Sequence, residues 1–397
     1  MSQISRVEFI ALIAMLFATT AFSIDAMLPA LPEIGTELSP GNVNRAQLIL
    51  TSFVLGMGIG TFFVGPLSDT IGRKPVILIG ALVYIFSSAA GYFAQSLELV
   101  LCCRILQGLG AAAPRVVSLA IVRDLYSGRE MARIVSFAIM VFTIFPAFAP
   151  LIGSIIIAFF GWRSIFLTFT IFAFLSTSWL WFRQAETLKR SSRRPFRFDV
   201  LLHAVAEMFA NRTVRLAIIV QSLCLGILFA MLSSVQPIYD ITFNRAESFP
   251  LWFGIIALIS GTGSLVNAQI VVRVGMRRIV VWSLGLQMLI SAIMMLASIS
   301  PLSPNHLFFL FLLWQIYVFF MAGTTMGNLN SIAMEPMGHI AGAAASTIAG
   351  VATVGAAAVA APIGLLFDGS TLPLSGSIFC LALLGFALMT AMSAVER

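Results

Sequence analysis

Charge is scarce in this chain. Asp, Glu, Lys and Arg make up 10% of its 397 residues, against about 25% in soluble globular domains. The hydrophobic fraction is 59% and the mean hydropathy is +1.01. A water-soluble fold is excluded, and a polytopic helical membrane protein fits. Histidine is rarer still. His203, His306 and His339 fall at or outside the edges of apolar runs, and no HExxH occurs. The four cysteines, Cys102, Cys103, Cys224 and Cys380, lie in apolar runs without metal-ligand spacing. An intramembrane metalloenzyme or haem protein is therefore not expected, nor any metal or cofactor. No nucleophile–base–metal constellation is visible, so the expectation is no enzyme. A small-residue cleavage site is also missing. Leu-Pro-Ala-Leu-Pro follows the first apolar run, which is too long for a signal peptide and is expected to be retained.

What is present is apolar length. A helix needs about 20 apolar residues to cross a bilayer. Twelve segments meet this: Val7–Leu31, Arg45–Gly65, Pro75–Ala94, Glu98–Val122, Met131–Phe160, Trp162–Phe182, Arg212–Gln236, Phe249–Val272, Arg278–Ile299, Pro304–Ser331, Ile340–Phe367 and Leu374–Val395. The net charge of +7 sits in short loops and does not signal nucleic acid. Of 23 Lys and Arg, Arg104 and Arg115 fall inside spans, and Arg45, Arg163 and Arg245 fall in one set of loops. The other 18 lie on the opposite side, which the positive-inside rule makes cytoplasmic. Both termini are then cytoplasmic.

The expected fold is all-α: twelve transmembrane helices in two pseudo-symmetric six-helix halves. Residues 1–183 form the first half, 184–211 a cytoplasmic linker and 212–397 the second half. The basic run Lys189-Arg190-Ser191-Ser192-Arg193-Arg194 of the linker is a topology anchor or a contact to anionic headgroups. A faint repeat supports the halves: Gly72-Arg73-Lys74-Pro75-Val76 matches Gly275-Met276-Arg277-Arg278-Ile279 at an offset of 203. Such halves are the hallmark of alternating-access transporters, with the site between them near mid-membrane.

Asp25 is the one carboxylate placed inside the hydrocarbon region. Its ionised form costs at least about 2.5–3.5 kcal/mol there, so it is a candidate functional residue by default. Pro29 cannot donate to the Asp25 carbonyl, and Pro32 frees that of Leu28 in the same way. Free carbonyls at that depth need protein or a water-filled cavity beside them. The competing reading is a structural Asp held by a buried Arg. Arg104 lies at a depth similar to that of Asp25, so a pair or a shared water chain is geometrically open to them. Arg104 reaching to the outer surface is its alternative.

Arg115 stands eleven residues after Arg104, about 20° past three turns, so both face the same way. Either it faces the cavity, which favours an anionic or zwitterionic substrate, or it reaches the cytoplasmic surface. Gln107, Gln236, Gln315 and Asn328 are further candidate substrate-cavity residues.

The loop Gly65-Pro66-Leu67-Ser68-Asp69-Thr70-Ile71-Gly72-Arg73-Lys74-Pro75 is a tight charged turn. It resembles the G-x-x-x-D-r-x-G-r-[KR] loop of the major facilitator superfamily. By that resemblance, Asp69 latches onto the start of span eleven near Ile340, and Arg73 pairs with Asp124. Gly65, Gly72 and Lys74 complete the conformational latch. Val272 replaces the Asp in the second-half copy, so the latch is expected to be asymmetric. Arg104-Ile105-Leu106-Gln107-Gly108-Leu109-Gly110-Ala111-Ala112 resembles the family's R-x-x-Q-G-x-G-a-a pattern, tied to proton coupling. Phe145-Pro146-Ala147-Phe148-Ala149-Pro150-Leu151-Ile152-Gly153-Ser154 resembles the exporters' G-P-x-x-G-G motif. It departs from that motif at Ala149 and Ser154, and Pro146 and Pro150, like Pro29, mark helix kinks. Ser23-Ile24-Asp25-Ala26-Met27-Leu28-Pro29-Ala30-Leu31-Pro32 resembles the S-x-D-M-Y-L-P-A-L-P signature of the Bcr/CflA branch of drug:proton antiporters. His339-Ile340-Ala341-Gly342-Ala343-Ala344-Ala345-Ser346 resembles that branch's H-x-A-G-x-A-s-s. An aromatic usual in the branch is missing at Met27.

The resemblance implies a monomeric multi-pass protein of a bacterial-type inner membrane, exporting small molecules or drugs by alternating access. Asp25 would be its protonation site and the proton gradient its energy source. Its partners would be a small-molecule substrate, protons and the lipid bilayer. An importer or metabolite carrier on the same fold is the alternative, and a non-transporting sensor a more distant one.

Overall fold

The computed structural model describes residues 5–193, 195–196 and 198–394. Among the described residues there are no strands. Twelve long helices form two halves of six. The first half holds α1 (Arg6–Asp25), α3 (Leu48–Ile71), α4 (Arg73–Tyr92), α5 (Leu97–Leu125), α6 (Gly128–Phe160) and α7 (Ser164–Arg183). The second half holds α9 (Arg212–Pro237), α10 (Phe249–Val274), α11 (Met276–Ile299), α12 (Pro304–Met334), α13 (Ala341–Leu365) and α14 (Leu372–Ala394). Two shorter helices are not spans: α2 (Leu31–Leu38) and α8 (Phe198–Ala210). The face holding the start of α1 and the end of α14 is called the basic face, and its opposite the far face.

Local chemistry sets the breaks. Span one is shorter than its apolar run: α1 ends at Asp25, and Leu28–Ala30 form a 3-10 turn around Pro29 before α2 begins. Pro146 and Pro150, in contrast, lie within one continuous helix, where Ser154 Oγ returns a hydrogen bond to the Pro150 carbonyl at 2.9 Å. α3 and α4 are joined by Gly72 at φ +115°, and α10 and α11 by Gly275 at φ +89°. Positive φ favours glycine, so the sequence repeat marks the same turn twice.

Close helix approach needs glycine at two reciprocal points. A Cβ on Gly56 would strike the Ile105 carbonyl, and one on Gly108 would strike that of Phe53. These positions bring α3 and α5 into backbone contact. The halves meet along α3 with α13 and α6 with α10, where Gly58 lies on Val354 and Gly254 on the Ala147 carbonyl.

The three arginines of the far-face loops are tied down. Arg45 binds Glu98 at 2.8 Å and Arg163 binds Glu37 at 2.7 Å. Arg245 donates to Asn305 at 3.0 Å and lies over the Phe308 ring. The segment 184–211 is not merely a linker. Its second part is α8, which buries Ala204 and Met208 against the bundle. At about 20 Å this helix is too short to span. Glu207 of α8 meets His339 at 2.7 Å.

Candidate functional site: a charged network in the first half

Arg104 is fully buried and does not run to the outer surface. Its Nε donates to the Ile49 carbonyl at 3.2 Å and its Nη2 to the Ser23 carbonyl at 2.9 Å. Its Nη1 donates to Gln107 Oε1, and the guanidinium stacks over Phe53 at 4.4 Å. One cation thus binds α1, α3 and α5 together. The planar fork of Arg suits several acceptors at fixed angles.

The network continues into α4. Gln107 Nε2 donates to Ser88 Oγ at 2.6 Å, and Ser88 Oγ donates to the Tyr84 carbonyl at 2.7 Å. The Tyr84 and Ser23 hydroxyls meet at 2.5 Å. Gln107 therefore has both ends of its amide occupied and no exposure. It stands inside the first half and does not line the cavity expected of it. Tyr84, Ser88 and the Ser23 hydroxyl were not singled out from sequence. The signal was Tyr84 and the pair Ser87-Ser88 in a largely apolar span, with Ser23 in α1.

Asp25 is 5% exposed, at the end of α1. Among the described residues it forms no salt bridge, and Arg104 holds the Ser23 carbonyl. The structural-pair reading of Asp25 is not what the geometry shows. The next carbonyl, Ala26, packs beneath Gly153 of α6. Arg115 Nη1 touches Met57 Sδ at 3.3 Å.

The second half is a neutral copy. Trp314 Nε1 donates to Ser291 Oγ at 3.0 Å, echoing Gln107 and Ser88. Ser291 follows Ser88 by the repeat offset of 203. Away from their ends, α9 to α14 carry no Asp, Glu, Lys or Arg. Gln315 accepts from Tyr239 at 3.1 Å, and its amide nitrogen is without a partner among the described residues. Gln236 Oε1 is likewise unpartnered. Asn328 donates to Asn267 at 2.7 Å.

At the basic face, Arg73 Nε reaches Asp124 at 3.0 Å, the pair the resemblance implied. Asp69 does not extend to α13. It binds Arg73 Nη1 at 2.5 Å, and its side chain remains 48% exposed. The two lie four residues apart across the Gly72 turn, so Arg73 is the nearer partner. Val272, at the matching position of the second half, is 90% exposed. A further acid joins the loop unannounced. Glu186 accepts from the Arg73 and Lys74 backbone N–H groups, both at 3.0 Å, and so caps α4. Lys74 Nζ donates to the Trp181 carbonyl at 2.7 Å. Gly65 lies against Ser346 of α13.

At the far face the halves are joined directly. Asn44 donates to the Phe367 carbonyl at 2.6 Å, and Ser234 donates to Gln47 at 3.3 Å.

Twelve spans in two repeated halves, with a charged network in one, define a secondary-transporter architecture. The model of the Major Facilitator Superfamily matches residues 11–362, and the chain belongs to that family. Within it, the chain sits with the Bcr/CflA branch. It is 29% identical to a bicyclomycin resistance protein homolog of Haemophilus influenzae, over 88% of this chain and 87% of that one. It is 30% identical to the multidrug resistance protein MdtL of Shigella dysenteriae, over 83% of this chain and 81% of that one. Among solved structures, a D-xylose-proton symporter superposes with a TM-score of 0.77 at 16% identity, covering 97% of both chains.

Proposed function

We propose that this transporter exports small molecules, drugs included, in exchange for protons across a bacterial cytoplasmic membrane. The observation that carries the reading is Asp25: a buried carboxylate at a helix break that forms no salt bridge among the described residues. An acid so placed is stable when protonated and costly when charged. Its proton affinity therefore depends on which side water enters. Exchange follows if proton and substrate prefer different conformations, because only differential affinity shifts an equilibrium. The relatives named for drug resistance support export. The loop arginines support a cytoplasmic basic face with both termini inside. The far-face bonds of Asn44 and Ser234 then close the outer side. In this structure Asp69 is engaged with Arg73, and we assign its latching onto α13 to a different conformation.

The test uses proteoliposomes with an internal pH dye and a panel of phenicols and anionic metabolites. Proton movement evoked by a compound in wild type and abolished in Asp25→Asn is expected. Equal movement in both proteins would remove Asp25 from the mechanism.

A further inference from the structure

We propose that Arg115 is the binding point for an acidic group on the transported molecule, so that substrates of this chain include organic carboxylates and similar anions. The inference rests on the transporter reading and adds the substrate class.

Its orientation comes first. Side chains on a helix lean toward the helix N-terminus. In α5 that end is at the far face, so Arg115 leans away from the basic face and toward mid-membrane. The Nη1 contact with Met57 Sδ, at 3.3 Å, shows where it goes. The alternative, an arginine reaching the basic surface, is not the conformation adopted.

The face it occupies comes second. Arg115 lies within about 20° of Arg104 around α5. The lipid-exposed side of the same helix is marked by Leu99, Leu106 and Leu109. Leu106 lies about 200° from Arg104 on the helical wheel. Arg115 is only partly buried, and its open side therefore faces the bundle interior.

Third is what it lacks. A thioether is a weak acceptor for a guanidinium with five donors. Among the described residues Arg115 forms no ion pair and no hydrogen bond to a carbonyl, whereas Arg104 has three oxygen acceptors. A cation left in this way at membrane depth is expensive unless something compensates it. The chain supplies no further interior carboxylate than Asp25, which shares no contact with Arg115. An incoming anion completes the site, and the fork geometry of Arg matches a carboxylate in bidentate fashion. Since Asp25 and Arg115 are separate, proton and anion exchange through conformation and not by displacing one another.

The experiment compares wild type, Arg115→Gln and Arg115→Lys in proteoliposomes. The probes are three anions of different size (benzoate, indole-3-acetate and carboxyfluorescein) and one lipophilic cation, rhodamine 6G. Wild type is expected to move at least one anion. Arg115→Gln should raise its KM at least about tenfold, the loss of a charge-assisted hydrogen bond, and Arg115→Lys should recover part of it. Rhodamine 6G movement should not fall. The assignment is overturned if wild type moves none of the anions, or if inorganic chloride competes as well as the anion. It is also overturned if Arg115→Gln leaves the anion KM unchanged or depresses both probe classes alike. Proton release in Asp25→Asn is read in parallel. Its loss beside an unchanged Arg115→Gln sinks the anion assignment and leaves antiport standing. The converse pattern sinks antiport and leaves the anion site.

Discussion

The guanidinium of Arg104 holds the carbonyl of Ser23 at 2.9 Å, two residues before Asp25. The cation fixes the backbone of α1 and, among the described residues, forms no ion pair with Asp25. Arg104→Gln should therefore act on structure first. Each charge-assisted hydrogen bond lost inside a protein costs about 1.5–3 kcal/mol. A melting temperature several degrees lower in detergent, with transport at least about tenfold slower, is expected. Scanning fluorimetry and flux assays read both.

Asp25→Asn should separate two activities. An amide mimics the protonated acid and cannot release a proton. Substrate-for-substrate exchange should persist, while accumulation driven by a pH gradient disappears, and the pH dependence of flux should flatten. A variant that still accumulates substrate against its gradient would refute this.

Gly108→Val tests the α3–α5 contact. The new side chain meets the Phe53 carbonyl, which is backbone and cannot swing away. Overpacking of this kind costs about 1–3 kcal/mol. The same substitution at Gly327, where a Cβ meets nothing within 4 Å, is the control and should be close to neutral. Thermal stability of the purified proteins decides.

Glu186→Ala removes the cap of α4. Two N–H groups of α4 and that of Leu188 lose their acceptor, and the capping part is an effect of about 1 kcal/mol by analogy with other helix caps. The variant should transport at an altered rate and become more susceptible to proteolysis between residues 184 and 197. Thr187→Ala, which loses only the 2.9 Å bond to Asp124, should be milder.

Much of this was legible in the sequence because membrane helices announce themselves by length and the Gly72 turn by its repeat. The Arg73–Asp124 pair came with a family pattern. The rest was hidden for definable reasons. Arg104 binds carbonyls, and a backbone acceptor carries no residue signature. Asp69 chose the nearer of two partners, a matter of distance within a loop. The segment around α8 is polar on average and reads as a linker, although 13 of its residues form a helix. Glu186 stands among basic residues in sequence, and only folding brings it over the first turn of α4. Arg115 was undecided between two directions, and the lean of helical side chains resolved it.

The placement of ionisable groups has an electrical consequence. Asp25, Arg104 and Arg115 all belong to the first half, and the interior of the second half is neutral. If the halves rock against one another, the interior charges on which the membrane voltage acts all lie in the first half. A charge crossing the full field gains or loses about 2.3 kcal/mol per 100 mV. Any interior charge that moves through the field travels with the first half, so a voltage dependence of transport would originate there.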